Sequence, residues 1–387
     1  MKVFVSLLFV MTLLLFFTPP ICAAETDTDA HLYDYEQNVE LSESLGFESL
    51  FDSLPEEVKE SMSKIGINSI SADEVGSITF DKLTNRIFDI AKEESKSALS
   101  SIGVIAAALL LYALVEGFIV SVTTQSMREV LSVVCSLCIA GVLVLPVTET
   151  IDAANKAIKT SSDFMLAFIP IMLAVLISCG KALSGSGYYS LMIFTAEGIA
   201  QLSSKIISPM LNVFLGVSLC SAVVPDLKLG SLTEMFSKTI KWILSFSFTI
   251  FSALLTFRTL IATSIDSVST RAVRFTMSSF IPVVGAALSE AYKTVQGSVN
   301  VLKNGLGVFV ILAVSIVFLP IVLRLLLWNF TLSLCKTISE MLNVTIPAGV
   351  LKSLSTVLSV LLAVVLCVMA LFTISTALII TAGGFQA

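Results

Sequence analysis

The side chains of this chain that could do chemistry are a few ionisable residues set inside long apolar runs. Glu116 follows fourteen almost wholly apolar residues within Ile102 to Val122. A carboxylate in hydrocarbon must be protonated, paired or turned to water. It therefore reads either as part of a polar pathway or interhelical pair, or as a Glu near the end of a span that reaches the headgroups. Glu197 and Lys205 are eight residues apart, about two helical turns, and could share a face without touching. Glu290 and Lys293 stand at i and i+3 and suit a pair on one short helix. Arg258 and Arg324 lie near the ends of apolar runs, where long side chains snorkel to water. The most unusual stretch is Ser279 to Val308, too apolar for a surface loop and too broken for an ordinary span. Its apolar run, Phe280 to Leu288, is far shorter than the roughly 20 residues that cross a bilayer, and it contains Pro282 and Gly285. Irregular backbone at membrane depth survives only inside protein or beside a wet cavity, which predicts a re-entrant segment near residues 280 to 295.

Catalytic and metal-binding patterns are missing. The single histidine, His31, cannot build a His-based metal site or a Ser/His relay. Gly180-Lys181 is followed by Ala182 and lacks the loop of a phosphate-binding motif. Gly185-Ser186-Gly187 has neither the spacing nor the strand-turn-helix setting of a nucleophile elbow. Cys135 and Cys138 are spaced C-x-x-C, but inside an apolar helix they read as two small packing residues. The chain is read as a non-enzyme with no cofactor and no metal, and no nucleic-acid partner is indicated.

The elements that must position these residues follow from hydropathy. With 56% hydrophobic and 13% charged residues, and a mean hydropathy of +0.94, the 387-residue chain is an integral membrane protein. The net charge of −6 hides a division: residues 25 to 95 hold 18 acidic and 5 basic side chains, residues 96 to 387 hold 11 and 17. Lys2, the apolar run Val3 to Phe17 and the site Cys22-Ala23-Ala24 predict a signal peptide over 1–24 cleaved after Ala24, against the alternative of an uncleaved first helix. Residues 25–100 then form an acidic extracytoplasmic helical segment. In it, Ser53-Leu54-Pro55-Glu56 offers a capping-box start, with Val58, Met62 and Ile65 at helical spacing. A second helix from Phe80 to about Ser97 places Phe80, Leu83, Ile87, Phe88 and Ala91 on one stripe. That stripe is either a cap packed on the membrane domain or a docking surface for a partner.

Residues 101–387 carry apolar stretches at Ile102–Val122, Val130–Val147, Phe164–Cys179, Ile206–Val224, Trp242–Ser264, Leu306–Leu327 and Leu354–Ala382. Tyr188 to Ile207 is moderately apolar and makes the count seven or eight. The polar stretches Asp152–Asp163 and Ser231–Lys241 read as interfacial amphipathic helices, with Trp242 placed at the headgroups. The expected fold is an all-α polytopic membrane helix bundle of about 7–8 spans with a small acidic helical segment outside. Lys and Arg are split evenly between the two sides, so the side of the C-terminus stays open.

The run FIPVVG from Phe280, the following LSEAYKTV and the LKNGLG leading into a long apolar helix together resemble the stage III sporulation protein AE family, polytopic membrane proteins of endospore-forming bacteria. A second block, Phe164 to Ser190, is similar to the same family, and the resemblance runs from about Asp163 onward. The family pattern has a second Gly at the position of Ala286, an Asp at Glu290 and an acidic residue at Lys293. The reversed charge at Lys293 argues against a cation held by paired carboxylates and leaves a re-entrant role untouched. The resemblance implies a sporulation membrane protein required for forespore development after engulfment. It would be one component of a channel or secretion-like complex between mother cell and forespore. Its implied partners are other stage III proteins, including membrane subunits and a soluble ATPase, and its implied place is the mother-cell-derived membrane around the forespore. The competing reading is a self-contained small-solute permease coupled through Glu116, Glu197 or Glu290. The candidate positions are thus Glu116, Glu197, Lys205, Pro282, Gly285 and Glu290.

Overall fold

Long stretches of Leu, Ile, Val, Ala and Phe with few internal breakers leave the backbone no partner but itself, and the chain responds with helices of unusual length. A computed structural model describes residues 45–70, 80–119, 125–223, 229–280, 285–342 and 344–381. Among these there is no strand. The predicted signal peptide with its cleavage point at Ala24, and Pro282, lie outside the described residues, as do the side chains of Glu116, Glu290 and Lys293.

Two short helices open the described chain, α1 (Phe47–Asp52) and α2 (Glu56–Ile65). They bury Phe47, Leu50, Val58, Met62 and Ile65, the last three at the predicted spacing. The capping box does not form: α2 starts after Pro55 without a side-chain cap, and the Ser53 hydroxyl instead donates to the Leu50 carbonyl (2.6 Å), closing the end of α1. Gly66, at φ 95°, ends α2 in a left-handed turn that a β-carbon would strain. Beside Lys64, the Glu60 carboxyl is held below its ordinary pKa by a hydrogen bond and by charge.

Helix α3 (Phe80–Ile119) passes without a break from the acidic segment into the first apolar run. Of the predicted apolar stripe Ile87 and Phe88 are exposed and Ala91 is half-buried, while the residue buried on this part of the helix is Ile90, which the stripe did not include. Helix α4 (Gln125–Ser178) carries two predicted apolar stretches, Val130–Val147 and Phe164–Cys179. The polar residues between them do not break it, and the hydroxyls of Thr148 and Thr150 find acceptors one turn back in the Val144 and Pro146 carbonyls. Helix α5 (Ala182–Leu202), a π turn (Ser203–Ile207) and α6 (Ser208–Val223) form one further continuous run. They are followed by α7 (Gly230–Phe280), α8 (Gly285–Met341) and α9 (Thr345–Thr381). Six of these helical runs are long and apolar enough to cross a membrane, and they carry all the stretches expected from hydropathy. The protein is an all-α polytopic helix bundle.

Helices α8 and α9 pack most extensively and form the core, with α4, α5, α6 and α7 around them and α3 against α8. Phe309, Phe318, Phe372, Leu358 and Val365 lie in that core and are essentially inaccessible. Each deletion of such a side chain removes contacts worth about 2–5 kcal/mol.

Candidate functional site: two polar tiers in an apolar bundle

Where α4 ends and α5 begins, the chain reverses through Cys179, Gly180 and Lys181. Gly180 sits at φ 74°, and the Lys181 N–H donates to the Leu176 carbonyl (2.9 Å) in the usual glycine stop of a helix. The two helices then approach so closely that a β-carbon on Gly185 would press on Leu173 and Leu176. Such a reversal leaves orphan N–H groups on α5 and orphan carbonyls on α4. Asp266 of α7, 6% exposed, accepts from the backbone N–H of Leu183 (3.2 Å) and of Ser184 (2.7 Å). It is the N-terminal cap of a helix to which it does not belong. Gln296 of α8 donates from Nε2 to the Cys179 carbonyl (2.6 Å), and the Cys179 thiol faces Asn300 Oδ1 at 3.8 Å. One turn further, Lys303, 1% exposed, donates from Nζ to the Ile380 carbonyl in the last turn of α9 (2.9 Å). A cation there also suits the negative end of the α9 dipole. Burial lowers the pKa of the Lys181 ammonium in the turn, while the thiol of Cys179 and the carboxylate of Asp266 act the other way.

These residues form one tier, a collar that closes three helix ends with side chains from α7 and α8. Gln296, Asn300 and Lys303 fall at i, i+4 and i+7, a single helix face. Beside the collar, Ser184, Tyr188, Leu255, Arg258 and Ile379 line a small cavity, with about 10 Å³ open to the centre of a water molecule. The Ser184 Oγ and Tyr188 Oη are buried there without hydrogen-bond geometry to any described residue, although the hydroxyls of Ser375 and Thr376 stand next to Tyr188. The cavity suits one water, whose hydrogen bonds both hydroxyls could share.

A second tier lies 21 residues further along α8, about 31 Å away. Here Arg324 donates from Nε and Nη2 to both carboxylate oxygens of Glu94 on α3 (2.6 and 2.9 Å). Asn329 Oδ1 accepts from Ser355 and Ser359 of α9 (both 3.1 Å), and Ser203 in the π turn donates to Asn155 of α4 (3.0 Å). The Arg324 pair is the strong member, because it is bidentate and charge-assisted. Chemically, both tiers hold helices in register; the described residues contain no cluster of three or more metal-ligating side chains.

The predicted candidates are not brought together. Glu197 and Lys205 are both exposed; Glu197 accepts from Gln201 (2.8 Å), and the π turn around Lys205 breaks the two-turn spacing expected of the pair. Glu116 lies on α3, Gly285 opens α8 and Glu290 follows in its second turn, while Asp266 of α7 and Gln296 of α8 both reach the turn between α4 and α5. Arg324, expected to snorkel, is paired, whereas Arg258 is exposed. Trp242 is exposed and stacks on Phe246 (5.2 Å between ring centres). Asp266, Gln296, Asn300 and Lys303 were not among the candidates. The i, i+4, i+7 polar spacing at the start of an apolar helix was the one signal that pointed to three of them.

No solved structure matches the chain significantly. A curated relative, Stage III sporulation protein AE of Bacillus subtilis (strain 168), is 27% identical over 235 residues, which span 60% of this chain and 59% of the relative. The family described as Stage III sporulation protein AE matches residues 63–383, a stretch that takes in both polar tiers and every long helix. The chain belongs to the stage III sporulation protein AE family.

Proposed function

We propose that this chain is a non-catalytic membrane subunit of a multiprotein channel or secretion-like complex in the mother-cell-derived membrane around the forespore. It is needed after engulfment, and a soluble ATPase among its partners supplies the energy. The observation that carries this reading is the family match over residues 63–383, which gives the chain a role in sporulation. The packing supports a subunit rather than a self-contained permease. The polar groups of the collar are spent on closing helix ends, the work of a structural subunit.

Deletion of the gene tests the proposal. Vegetative growth should be normal and spores should arrest after engulfment. Heat-resistant spores at wild-type frequency would overturn it, and a growth defect confined to one solute would favour the permease. Affinity capture from sporulating cells should return other sporulation proteins in fixed ratio with this chain.

A further inference from the structure

The small cavity beside the collar lies where three apolar runs stop. One begins at Ala182, one ends at Arg258 and one ends at Ile380, and Ser184, Arg258 and Ile379 of the cavity wall stand within two residues of those ends. This is the level at which hydrocarbon gives way to lipid headgroups. Ser184 and Tyr188, 3% and 4% exposed, stand one turn apart on α5, and both line the cavity. Neither hydroxyl has a hydrogen-bond partner among the described residues. The two hydroxyls next to Tyr188 are engaged elsewhere, Ser375 donating to the Met192 sulfur and Thr376 to the Phe372 carbonyl (2.9 Å). A buried hydroxyl left without a partner is costly, so two of them in one cavity point to a ligand.

The chemistry of the wall selects that ligand. Apart from the two hydroxyls and the guanidinium of Arg258, which is exposed, the wall is the hydrocarbon of Leu191, Leu255 and Ile379. Arg258 takes no part in the ion pairs among the described residues. The Asp266 carboxylate, two turns further along α7, already accepts from the Leu183 and Ser184 N–H groups, and Lys181 stands beside it. A water would bring two protons of its own into walls rich in hydrocarbon. An anionic oxygen brings none, and it can accept from both hydroxyls while Arg258 balances its charge. The space admits one oxygen-sized atom, so the rest of the anion stays at the mouth with Arg258. From Arg258 back along the apolar run of α7, Leu254, Ile250 and Phe246 are exposed at successive steps of four. Leu254 and Ile250 lie within about 12 Å of Arg258 along the axis, inside the roughly 15 Å depth of one leaflet.

We propose that the cavity receives one phosphate oxygen of an anionic phospholipid. Ser184 Oγ and Tyr188 Oη donate to that oxygen, Arg258 pairs with the rest of the phosphate, and the acyl chains lie along Leu254 and Ile250. The described lining residues include no carboxylate to meet a headgroup ammonium. A lipid whose phosphate is its only charge, such as phosphatidylglycerol, therefore fits better than phosphatidylcholine. The bound lipid ties α5 to α7 beside the collar, and the inference does not depend on the proposed function.

The test is thermal unfolding of the full chain, purified in detergent and washed free of lipid, with each candidate ligand added back. Phosphatidylglycerol should raise the midpoint in a saturable way, phosphatidylcholine only weakly, and inorganic phosphate and glycerol 3-phosphate not at all. Arg258→Gln, a change at an exposed position, should raise the lipid concentration that gives half the shift about tenfold or more, and so should Tyr188→Phe. Should Tyr188→Phe fail to accumulate, Ser184→Ala probes the same oxygen. Lys238→Gln, at an exposed cation twenty residues away on α7, should leave that concentration unchanged. An unchanged response in both Arg258→Gln and the hydroxyl variant would overturn the site, and an equal loss in Lys238→Gln would reduce it to general surface charge. An equal shift with inorganic phosphate would assign the cavity to a free anion and overturn the lipid. No shift with phosphatidylglycerol in the native chain would leave the cavity to water and sink the proposal.

Discussion

Replacing Asp266 should loosen the collar in a graded way. Asp266→Ala removes both acceptors at the start of α5. Ser184 is buried, so its orphaned N–H costs about 1–3 kcal/mol. Leu183 is exposed, and water can take over much of its share. Loss of a negative charge at the positive end of α5 adds about 0.3–1 kcal/mol. Relief of the buried carboxylate's own desolvation offsets part of this, leaving a net loss of roughly 2–3 kcal/mol. Asp266→Asn keeps one carbonyl acceptor but turns an amide N–H toward the second donor, so it should fall between Ala and the native residue. The assay is thermal unfolding of the detergent-solubilised full chain, read by the fluorescence of Trp328, which is buried between helices. At about 2 °C per kcal/mol, the low end for large domains, Asp266→Ala should lower the midpoint by roughly 4–6 °C. An unchanged midpoint in Asp266→Ala, or a larger drop for Asn than for Ala, would refute the capping role.

Gly307→Ala should destabilise by about 1–3 kcal/mol, because its β-carbon would overlap the side chain of Ile380, whose carbonyl Lys303 holds. Gly141→Ala, where a β-carbon meets nothing, should be neutral or stabilise by up to about 1 kcal/mol, and heat tolerance of the two variants in detergent separates them. A double-mutant cycle of Glu94→Gln and Arg324→Gln should give a coupling of about 1–2 kcal/mol, reduced from a fully buried pair because Arg324 is 35% exposed; additive losses would remove the pair from the account. Single cysteines at Ser279 and Val295 should label from the same side of the membrane, since Asp266 of α7 and Gln296 of α8 both reach the turn between α4 and α5. Labelling from opposite sides would mean that residues 280–295 cross it. Pro282→Leu with Gly285→Leu should impair sporulation more than replacement of Lys293.

What the sequence could show was set by what is local. Hydropathy alone placed every apolar stretch, because burial or lipid contact is a property of a segment, and the buried Val58, Met62 and Ile65 of α2 followed from spacing on one helix. Local polar chemistry was less reliable. The Ser53 hydroxyl had two competing backbone partners within reach, and the Leu50 carbonyl behind it won over the N–H groups ahead. The collar was beyond reach for a further reason. The partners of Asp266 are backbone N–H groups 82 and 83 residues away, and that of Lys303 a backbone carbonyl 77 residues away. Backbone groups have no sequence signature, so a side chain that closes another helix's end looks like a stray polar residue until the helix ends are placed. Arg324 shows the same limit between two side chains. Near the end of an apolar run it has the spacing of a snorkelling residue, and only the return of α3 along α8 brings Glu94, 230 residues earlier, to its guanidinium. An intramembrane charge in a long-helix bundle is therefore better weighed first against the orphan groups of every helix terminus at its height, and only then against a transport pathway.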